Sequence, residues 1–339
     1  MTPVLAIAST VRGLDSSYRT AIAHHRALGF SRFYLFLDAP SERDDVLALL
    51  GELAGPEIEL IDRDAAHDAW ASTSPLYGDP ELPYARCVVT RQRINLVRAV
   101  ELARRDGVDW LLHIDADELL APPLGQDLRE WIAARADDFD ELFFPNLEAL
   151  QQQDDYGDPF VEVHTFKRNP YHLSKLQLDL LRYKHERRQF YVAYASGKSM
   201  FKPAAIEAGA VPRSVHQFGP DLYGPRMLVQ DRLEGPTLLH YPMVGFVSLL
   251  RRVGGFNLDR VNQYEVLSDN PNNLLREARR ALTEHGLGAL QEFYREWVRY
   301  ADAAELARLH RWGVLHELEP ERQPRPAPPV AATPPRGQP

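Results

Sequence analysis

Short apolar runs alternate with amphipathic stretches through the N-terminal third of the chain and just beyond it. The runs predict strands at 4–8, 33–37, 58–61, 110–114 and 141–144. Apolar spacing between them predicts helices over 16–28, 42–53 and 84–106, with Gly107 as the C-terminal cap of the third. This alternation indicates an α/β fold with a mostly parallel sheet, and wholly apolar strands such as FYLFL fit a sheet with helices on both faces.

The pattern changes after this region. Residues 145–190 show no clear period and predict loops with short strands, and further strands are predicted at 198–202 and 215–218. Helical spacing then covers 246–253, 273–285, 287–300 and 303–312. The final stretch is rich in proline and poor in large apolar residues, which is typical of disorder. We therefore expect an α/β domain over 1–245, a helical C-terminal region over 246–318 and a disordered tail over 319–339.

Composition restricts the classes of function. The chain has 339 residues, a formal net charge of −9 and one cysteine, Cys87, so an intramolecular disulfide is excluded and a reducing, cytoplasmic setting is expected. No apolar stretch approaches the roughly 20 residues of a membrane-spanning helix. The acidic balance argues against nucleic acid as a partner. An anionic small molecule stays possible, because local arginines or a metal ion can offset the overall charge.

The segment WLLHIDADELL at 110–120 carries the clearest chemical signal. In open parallel sheets, ligands bind beyond the carboxyl ends of the strands, and an apolar strand here delivers Asp115 and Asp117 to such an end. Asp38, Asp62 and Asp64 also follow predicted strands. Two carboxylates spaced i, i+2 can approach one Mg²⁺ or Mn²⁺ ion and leave coordination positions for phosphate oxygens. The alternative interpretation is an ordinary acidic turn after a buried strand.

Several segments, in order, resemble the GT-A fold glycosyltransferases, particularly their family-2-like and family-92-like branches. They are AHHRALGFSRFYLFLD (23–38), DWLLHIDADELLAPP (109–123), GKSMFKP (197–203), VHQF (215–218) and LLHYPMVGFVSLLRR (238–252). The resemblance implies a GT-A-like, Rossmann-like domain. It also implies transfer of a sugar, of hexosyl type, from a UDP- or GDP-linked donor to a glycan or other hydroxyl acceptor, with inversion.

The resemblance also assigns residues. Asp115 and Asp117 match the DxD motif that holds Mn²⁺ or Mg²⁺ on the donor diphosphate, and His240 resembles a histidine that reaches the metal or the diphosphate. Arg12 and Asp38 resemble the nucleotide-binding edge of the sheet. The Asn-Glu usual after the first strand is replaced here by Thr-Val-Arg, so the details of base recognition differ.

Other polar residues complete the set of candidates. Arg91 resembles a donor contact, as does its neighbour Gln92, and Lys198 follows a glycine where a phosphate could bind. His216 is a further candidate metal ligand. A general base must activate the acceptor hydroxyl, and the candidates lie in the irregular stretch, at Glu148, Asp154 and Asp155.

Two other functions are compatible with the DxD motif. In a phosphohydrolase, Asp115 would be the nucleophile and Asp117 the acid, although such a motif normally follows the first strand and here follows the fourth. A non-catalytic nucleotide-sugar-binding protein would keep the fold and lack the base. Sugar transfer without phosphatase activity would separate the first alternative from a glycosyltransferase, and donor binding without turnover would identify the second.

Overall fold

The structure, a computed structural model, describes residues 2–53, 55–184, 190–207, 209–219, 226–230, 232–254 and 274–327. Its strands are β1 (Leu5–Val11), β2 (Phe30–Leu37), β3 (Ile58–Asp62), β4 (Trp110–His113), β5 (Glu118–Ala121), β6 (Glu141–Phe144), β7 (Asn146–Ala149), β8 (Thr165–Lys167), β9 (Lys198–Phe201), β10 (Met227–Val229), β11 (Thr237–His240) and β12 (Leu315–Glu317). Its α-helices are α1 (Tyr18–Ala27), α2 (Arg43–Leu50), α3 (Ala65–Ala71), α4 (Val88–Arg105), α5 (Leu128–Ala133), α6 (Pro159–Glu162), α7 (Lys175–Lys184), α8 (Phe246–Gly254), α9 (Leu274–Arg280), α10 (Leu287–Phe293) and α11 (Ala303–Arg311).

A seven-stranded sheet organises the N-terminal part of the chain. Its strand order is β10-β6-β9-β4-β1-β2-β3. The strands β4, β1, β2 and β3 run parallel, β9 is antiparallel to both of its neighbours, and β10 pairs in parallel with β6 at the edge. The predicted α/β class with a mostly parallel sheet is therefore confirmed.

Helices cover both faces of this sheet. Strand β1 shows how the sequence allows this, because its side chains alternate between the two faces. Leu5 and Ile7 join the core that contains α1, α2 and α5, whereas Ala6 and Ala8 join the core beneath α4. Helix α4 ends as predicted, with Gly107 at a φ of +67°, a conformation that glycine adopts without strain.

A second, five-stranded sheet has the order β12-β8-β7-β11-β5 and was not predicted. The short strand β5 follows the DxD motif directly and pairs antiparallel with β11. Helix α1 is tied to β5 by its histidine pair. The His24 Nε2 atom lies 2.9 Å from the Leu120 carbonyl, and the Leu120 N–H donates to His25 Nε2 at 3.2 Å. His25 Nδ1 lies 2.8 Å from the Ala21 carbonyl, so the neutral tautomer of His25 satisfies both contacts.

The C-terminal region is mostly helical, as predicted, but it is also part of the second sheet. Helices α8, α9 and α10 share a core with the π-helical turn Tyr294–Val298. After α11, strand β12 pairs antiparallel with β8. Residues 255–273, which include the start of one predicted helix, lie outside the described residues.

The predicted disordered tail begins too early. Residues 319–327 pack against the protein, and the Arg322 side chain is 1% exposed. Its guanidinium donates to the carbonyls of Pro122, Leu233 and Gly235 at 2.6–2.8 Å. These are long-range contacts that composition does not reveal. Residues 328–339 lie outside the described residues.

Two local predictions were also wrong. Residues 215–218 form an irregular segment rather than a strand, and the stretch at 145–190 contains helix α7.

Two of the aspartates that follow predicted strands have structural contacts. Asp64 caps the N-terminus of α3 by accepting from the His67 N–H at 2.8 Å, and Asp62 pairs with Arg43. Within the described ranges, the helices are all too short or too polar to cross a membrane.

Candidate active site

A cavity of about 1050 Å³ lies at the carboxyl ends of the parallel strands. Arg12 follows β1, Asp38 follows β2, and Asp115 and Asp117 follow β4, and all four residues line this cavity. They meet because the carboxyl ends of parallel strands lie along one edge of the sheet. The structure therefore brings together four residues that the sequence predicted to share a site.

The DxD motif occupies the short connection between β4 and β5. The Asp115 carboxylate accepts hydrogen bonds from Lys198 Nζ at 2.8 Å and from Gln92 Nε2 at 2.6 Å. Asp117 accepts from Arg252 Nη1 at 3.3 Å, and the same oxygen lies 3.6 Å from His240 Nε2. Each carboxylate is thus held by groups from distant parts of the chain, so both face one cavity in defined orientations.

Lys198 neutralises Asp115 from behind the cavity wall. Its side chain is fully buried and is absent from the cavity lining. This position does not match the contact with the donor that the sequence predicted. Burial raises the pKa of Asp115, but the groups around it, with Lys198 foremost, together lower it by more, and Asp115 stays ionised at neutral pH. Gly197, at a φ of +63°, passes so close to the Phe144 backbone that a Cβ would clash there.

Glu118 lies beside this ion pair, and its pKa is shifted in the opposite direction to that of Asp115. Its carboxylate accepts from the Asp115 N–H at 2.7 Å. Burial raises the pKa of Glu118 to about 8, and its Oε2 atom lies 3.8 Å from Lys198 Nζ. Asp115, at 2.8 Å, is the nearer of the two carboxyl groups that face Lys198.

Asp38 is fixed by Arg91. The Arg91 Nε and Nη2 atoms both donate to the Asp38 carboxylate, and Nη1 donates to the Tyr84 carbonyl at 2.9 Å. Arg91 is 3% exposed and does not line the cavity, so its placement does not match the predicted donor contact. Its neighbour Gln92 lines the cavity instead. Arg91 acts on the site by orienting Asp38, with the bidentate geometry that guanidinium and carboxylate favour.

Two histidines and a tyrosine form one wall of the cavity. The Tyr194 ring centre lies 4.4 Å from that of His216 and 4.6 Å from that of His240. Burial lowers the pKa of His216 to about 4, so its ring is neutral at pH 7. Burial also lowers the pKa of His240, but Asp117, with Glu118 and Glu148, raises it by more. His240 Nδ1 and the Tyr194 hydroxyl have no hydrogen-bond partner among the described residues, although both side chains line the cavity.

The three predicted base candidates lie elsewhere. Glu148 is fully buried, and its carboxylate binds Lys167 Nζ at 2.8 Å and the Val192 and Ala193 N–H groups at 2.8–3.0 Å. Asp154 pairs with arginines of the C-terminal region, and Asp155 is exposed. None of these three residues belongs to the described residues that line the cavity. Glu148 is a structural residue that joins β7 to β8 through a buried ion pair.

Sequence reasoning missed several residues of the cavity. They include two more carboxylates, two arginines at the end of α8 and an aromatic ring: Asp15, Glu42, Arg251, Arg252 and Tyr194. Arg251 pairs with Asp15 at 2.7 Å. The only available signal was the arginine pair at the end of an amphipathic helix, which equally fits a solvated helix end.

The side chains of the cavity fit a divalent cation whose coordination is completed by a bound substrate. Within the described ranges, no three His, Cys, Asp or Glu side chains lie close enough together to hold a metal ion by themselves. Asp115 and Asp117 still supply two carboxylates to one cavity. Mg²⁺ and similar hard cations are commonly bound by one or two carboxylates together with substrate phosphates. The predicted ligand set of Asp115, Asp117 and His240 therefore fits only if phosphate oxygens complete it.

Comparison with known proteins identifies two similar chains. No protein-family model matches the sequence. Two glycosyltransferase-like proteins of Arabidopsis thaliana are similar to it, one 29% identical over 255 residues (72% of this chain, 54% of the relative) and the other 27% identical over 329 residues (91% and 60%). The chain thus spans a little over half the length of the curated relatives it matches. The solved structure of HddC from Yersinia pseudotuberculosis aligns with a TM-score of 0.33 and 13% identity over 76% of this chain and all of that one, a score too low to support an argument.

Proposed function

We propose that this protein transfers a sugar, of hexosyl type, from a nucleotide-diphosphate donor to a hydroxyl acceptor, using Mn²⁺ or Mg²⁺. One observation carries the proposal: Asp115 and Asp117 face a single large cavity at the carboxyl end of a parallel sheet. The similarity to glycosyltransferase-like proteins supports the same class of reaction. Because that similarity covers only part of the relatives, the reaction is inferred chiefly from the cavity.

The residues that line the cavity suit the two parts of such a donor. Asp38, held rigidly by Arg91, presents carboxylate oxygens that can accept hydrogen bonds from ribose or a base edge. Arg12 lines the cavity with an exposed side chain. Arg251 and Arg252 line the cavity, and Arg252 donates to Asp117 of the DxD motif. Guanidinium groups favour phosphate oxygens. We infer that the nucleoside lies near Asp38 and the diphosphate near Asp117.

The chemistry follows from charge. A bound divalent cation would act as a Lewis acid that stabilises the negative charge building on the diphosphate leaving group. The chain contributes Asp115 and Asp117 as ligands, Lys198 and Gln92 to orient Asp115, and Arg252 to balance Asp117. These preorganised groups require little rearrangement as charge develops.

Inversion requires a carboxylate that removes a proton from the acceptor hydroxyl on the face opposite the leaving group. Of the carboxylates that line the cavity as described, Asp38, Asp115 and Asp117 already have assigned roles. Asp15 and Glu42 are the other two. We propose that the base is one of these, in place of Glu148, Asp154 and Asp155.

Calorimetric titration of UDP and of GDP, with and without Mn²⁺, tests the proposal. We expect binding that requires Mn²⁺ and prefers one base, and we expect Asp115→Asn with Asp117→Asn to abolish it. Asp155→Asn is the matched control, because Asp155 is an exposed aspartate outside the cavity lining. If neither nucleotide binds under any condition, or if the double variant keeps full affinity, the proposal is wrong. Phosphate release from a phosphomonoester would then favour the phosphohydrolase alternative.

A further inference from the structure

Two cations contact the carboxylates of the DxD motif, and they differ in how firmly they are held. Lys198 is 0% exposed, lies behind the cavity wall and donates to Asp115 at 2.8 Å. Arg252 is 26% exposed, lines the cavity and donates to Asp117 at 3.3 Å. Charge-assisted hydrogen bonds are usually about 2.7–2.9 Å long. The contact between Arg252 and Asp117 is therefore the looser of the two, and it is the one that a ligand in the cavity can reach.

The backbone that carries Arg252 is fixed in the fold. Leu249 and Val253 of α8 are 0% and 4% exposed and belong to the core shared with α9 and α10. At the start of α8, the Phe246 N–H donates to the Asp154 carbonyl at 2.7 Å. A change of partner at Arg252 therefore needs rotation of its side chain and no movement of the helix.

The donor proposed above brings two ligands that compete with this contact. A divalent cation and a guanidinium group are both positive, so they oppose each other at the Asp117 carboxylate. A diphosphate is an alternative partner for Arg252, because guanidinium binds phosphate oxygens through two parallel donors. A partly exposed ion pair contributes little free energy, so little is lost when the guanidinium leaves Asp117.

We propose that Arg252 is a counter-ion that changes partner when the donor binds. In the nucleotide-free protein, it neutralises Asp117. When a nucleoside diphosphate enters with its cation, the guanidinium moves to the phosphate oxygens and leaves the Asp117 carboxylate to the cation. Lys198 is buried and stays with Asp115. This inference rests on the proposed function, and it implies that nucleotide and cation strengthen each other's binding by the same factor.

Arg252→Gln tests the exchange, because it should change two affinities in opposite directions. Loss of the competing cation should strengthen binding of Mn²⁺ to the nucleotide-free protein by about threefold, as expected for a partly exposed ion pair. Loss of the phosphate contact should weaken binding of the preferred nucleotide in the presence of Mn²⁺ by at least about tenfold. Electron paramagnetic resonance of unbound Mn²⁺ gives the first affinity, and calorimetry gives the second. A residue with a purely structural role would lower both.

Two further variants separate the exchange from a general effect of charge. Arg251→Gln removes the neighbouring cation of the cavity, which pairs with Asp15 and is 52% exposed. It is expected to weaken nucleotide binding but to leave the affinity for Mn²⁺ alone unchanged, because an exposed charge is screened. Arg252→Lys keeps a cation beside Asp117 and loses the forked donors, so Mn²⁺ affinity should match the wild type while nucleotide affinity falls. Wild-type circular dichroism of all three variants shows that they fold.

The inference is overturned if Arg252→Gln leaves the affinity for Mn²⁺ alone unchanged or lowers it. It is also overturned if Arg251→Gln raises that affinity by as much, since the effect would then come from overall charge. Failure of the proposed function gives a different result, because the wild type would then bind neither UDP nor GDP with Mn²⁺. Failure of the exchange alone leaves nucleotide binding by the wild type intact.

Discussion

Replacing Lys198 with methionine tests how the DxD motif is held. The Lys198 ammonium lies 2.8 Å from Asp115 Oδ2, and its side chain is 0% exposed against 23% for Asp115. The substitution leaves the Asp115 carboxylate without its cationic partner. The variant therefore measures how much an unpaired, largely buried carboxylate lowers the free energy of unfolding.

The size of the effect follows from the geometry. Removing one partner of a buried ion pair costs about 3–5 kcal/mol. Asp115 keeps its hydrogen bond from Gln92 and some contact with solvent, so we expect the lower end, about 3 kcal/mol. Adding Asp115→Asn removes the uncompensated charge and should restore about 2 kcal/mol, which appears as the coupling energy of a double-mutant cycle.

Urea unfolding, followed by the fluorescence of the five tryptophans, measures these free energies. Lys202→Met is the control, because Lys202 follows the other end of β9 and its pair with Asp140 is partly exposed, at 22% and 32%. That variant should lose less than about 1 kcal/mol. A Lys198→Met protein within about 1 kcal/mol of the wild type, or a coupling near zero, would refute the assignment of Lys198 as the buried counter-ion of Asp115.

Two further predictions concern nucleotide binding and pH. Arg12→Ala should weaken binding of the preferred nucleotide about tenfold through loss of a charge-assisted hydrogen bond. Arg98→Ala should not, because Arg98 is a partly buried residue of α4 that pairs with Glu101 and is not part of the cavity lining. Equal affinities of the Arg12→Ala protein and the wild type would show that the nucleotide lies elsewhere. Burial holds the pKa of His25 well below 6.5, so the unfolded state binds the extra proton and the unfolding free energy should fall as the pH drops below about 6.5. His25→Gln should reduce that slope by up to about 1.4 kcal/mol per pH unit, measured from urea midpoints, whereas the exposed His285→Gln should leave it unchanged.

The residues of the candidate site that directly follow a strand were predictable from the sequence. Arg12, Asp38 and Asp115 each follow a strand whose apolar run is visible in the sequence, and parallel pairing then brings them to one edge. The roles of Arg91 and Lys198 were not predictable in the same way. Both side chains are cations near the site, and only their burial shows that each neutralises a carboxylate rather than facing the cavity.

The failure to place a base has a similar cause. Glu148, in β7, lies in the stretch where acceptor-side acids were expected, and its sequence neighbours give no sign of its partner. Its partner Lys167 is 19 residues away, on β8, and the pair is buried between two strands of a sheet that the sequence did not reveal. A carboxylate with a buried cation and two backbone donors has no free position for a substrate proton.

The sequence by itself determined the class of the fold and the location of the acidic motif, because both depend on runs of neighbouring residues. Apolar runs of strand length and amphipathic spacing are local properties, and the DxD motif lies within one connection. Tertiary structure decided which charges are paired and which face the cavity. The partners of Asp38 and Asp115 are 53 and 83 residues away, so the electrostatics of the site depend on pairings that exist only in the folded chain.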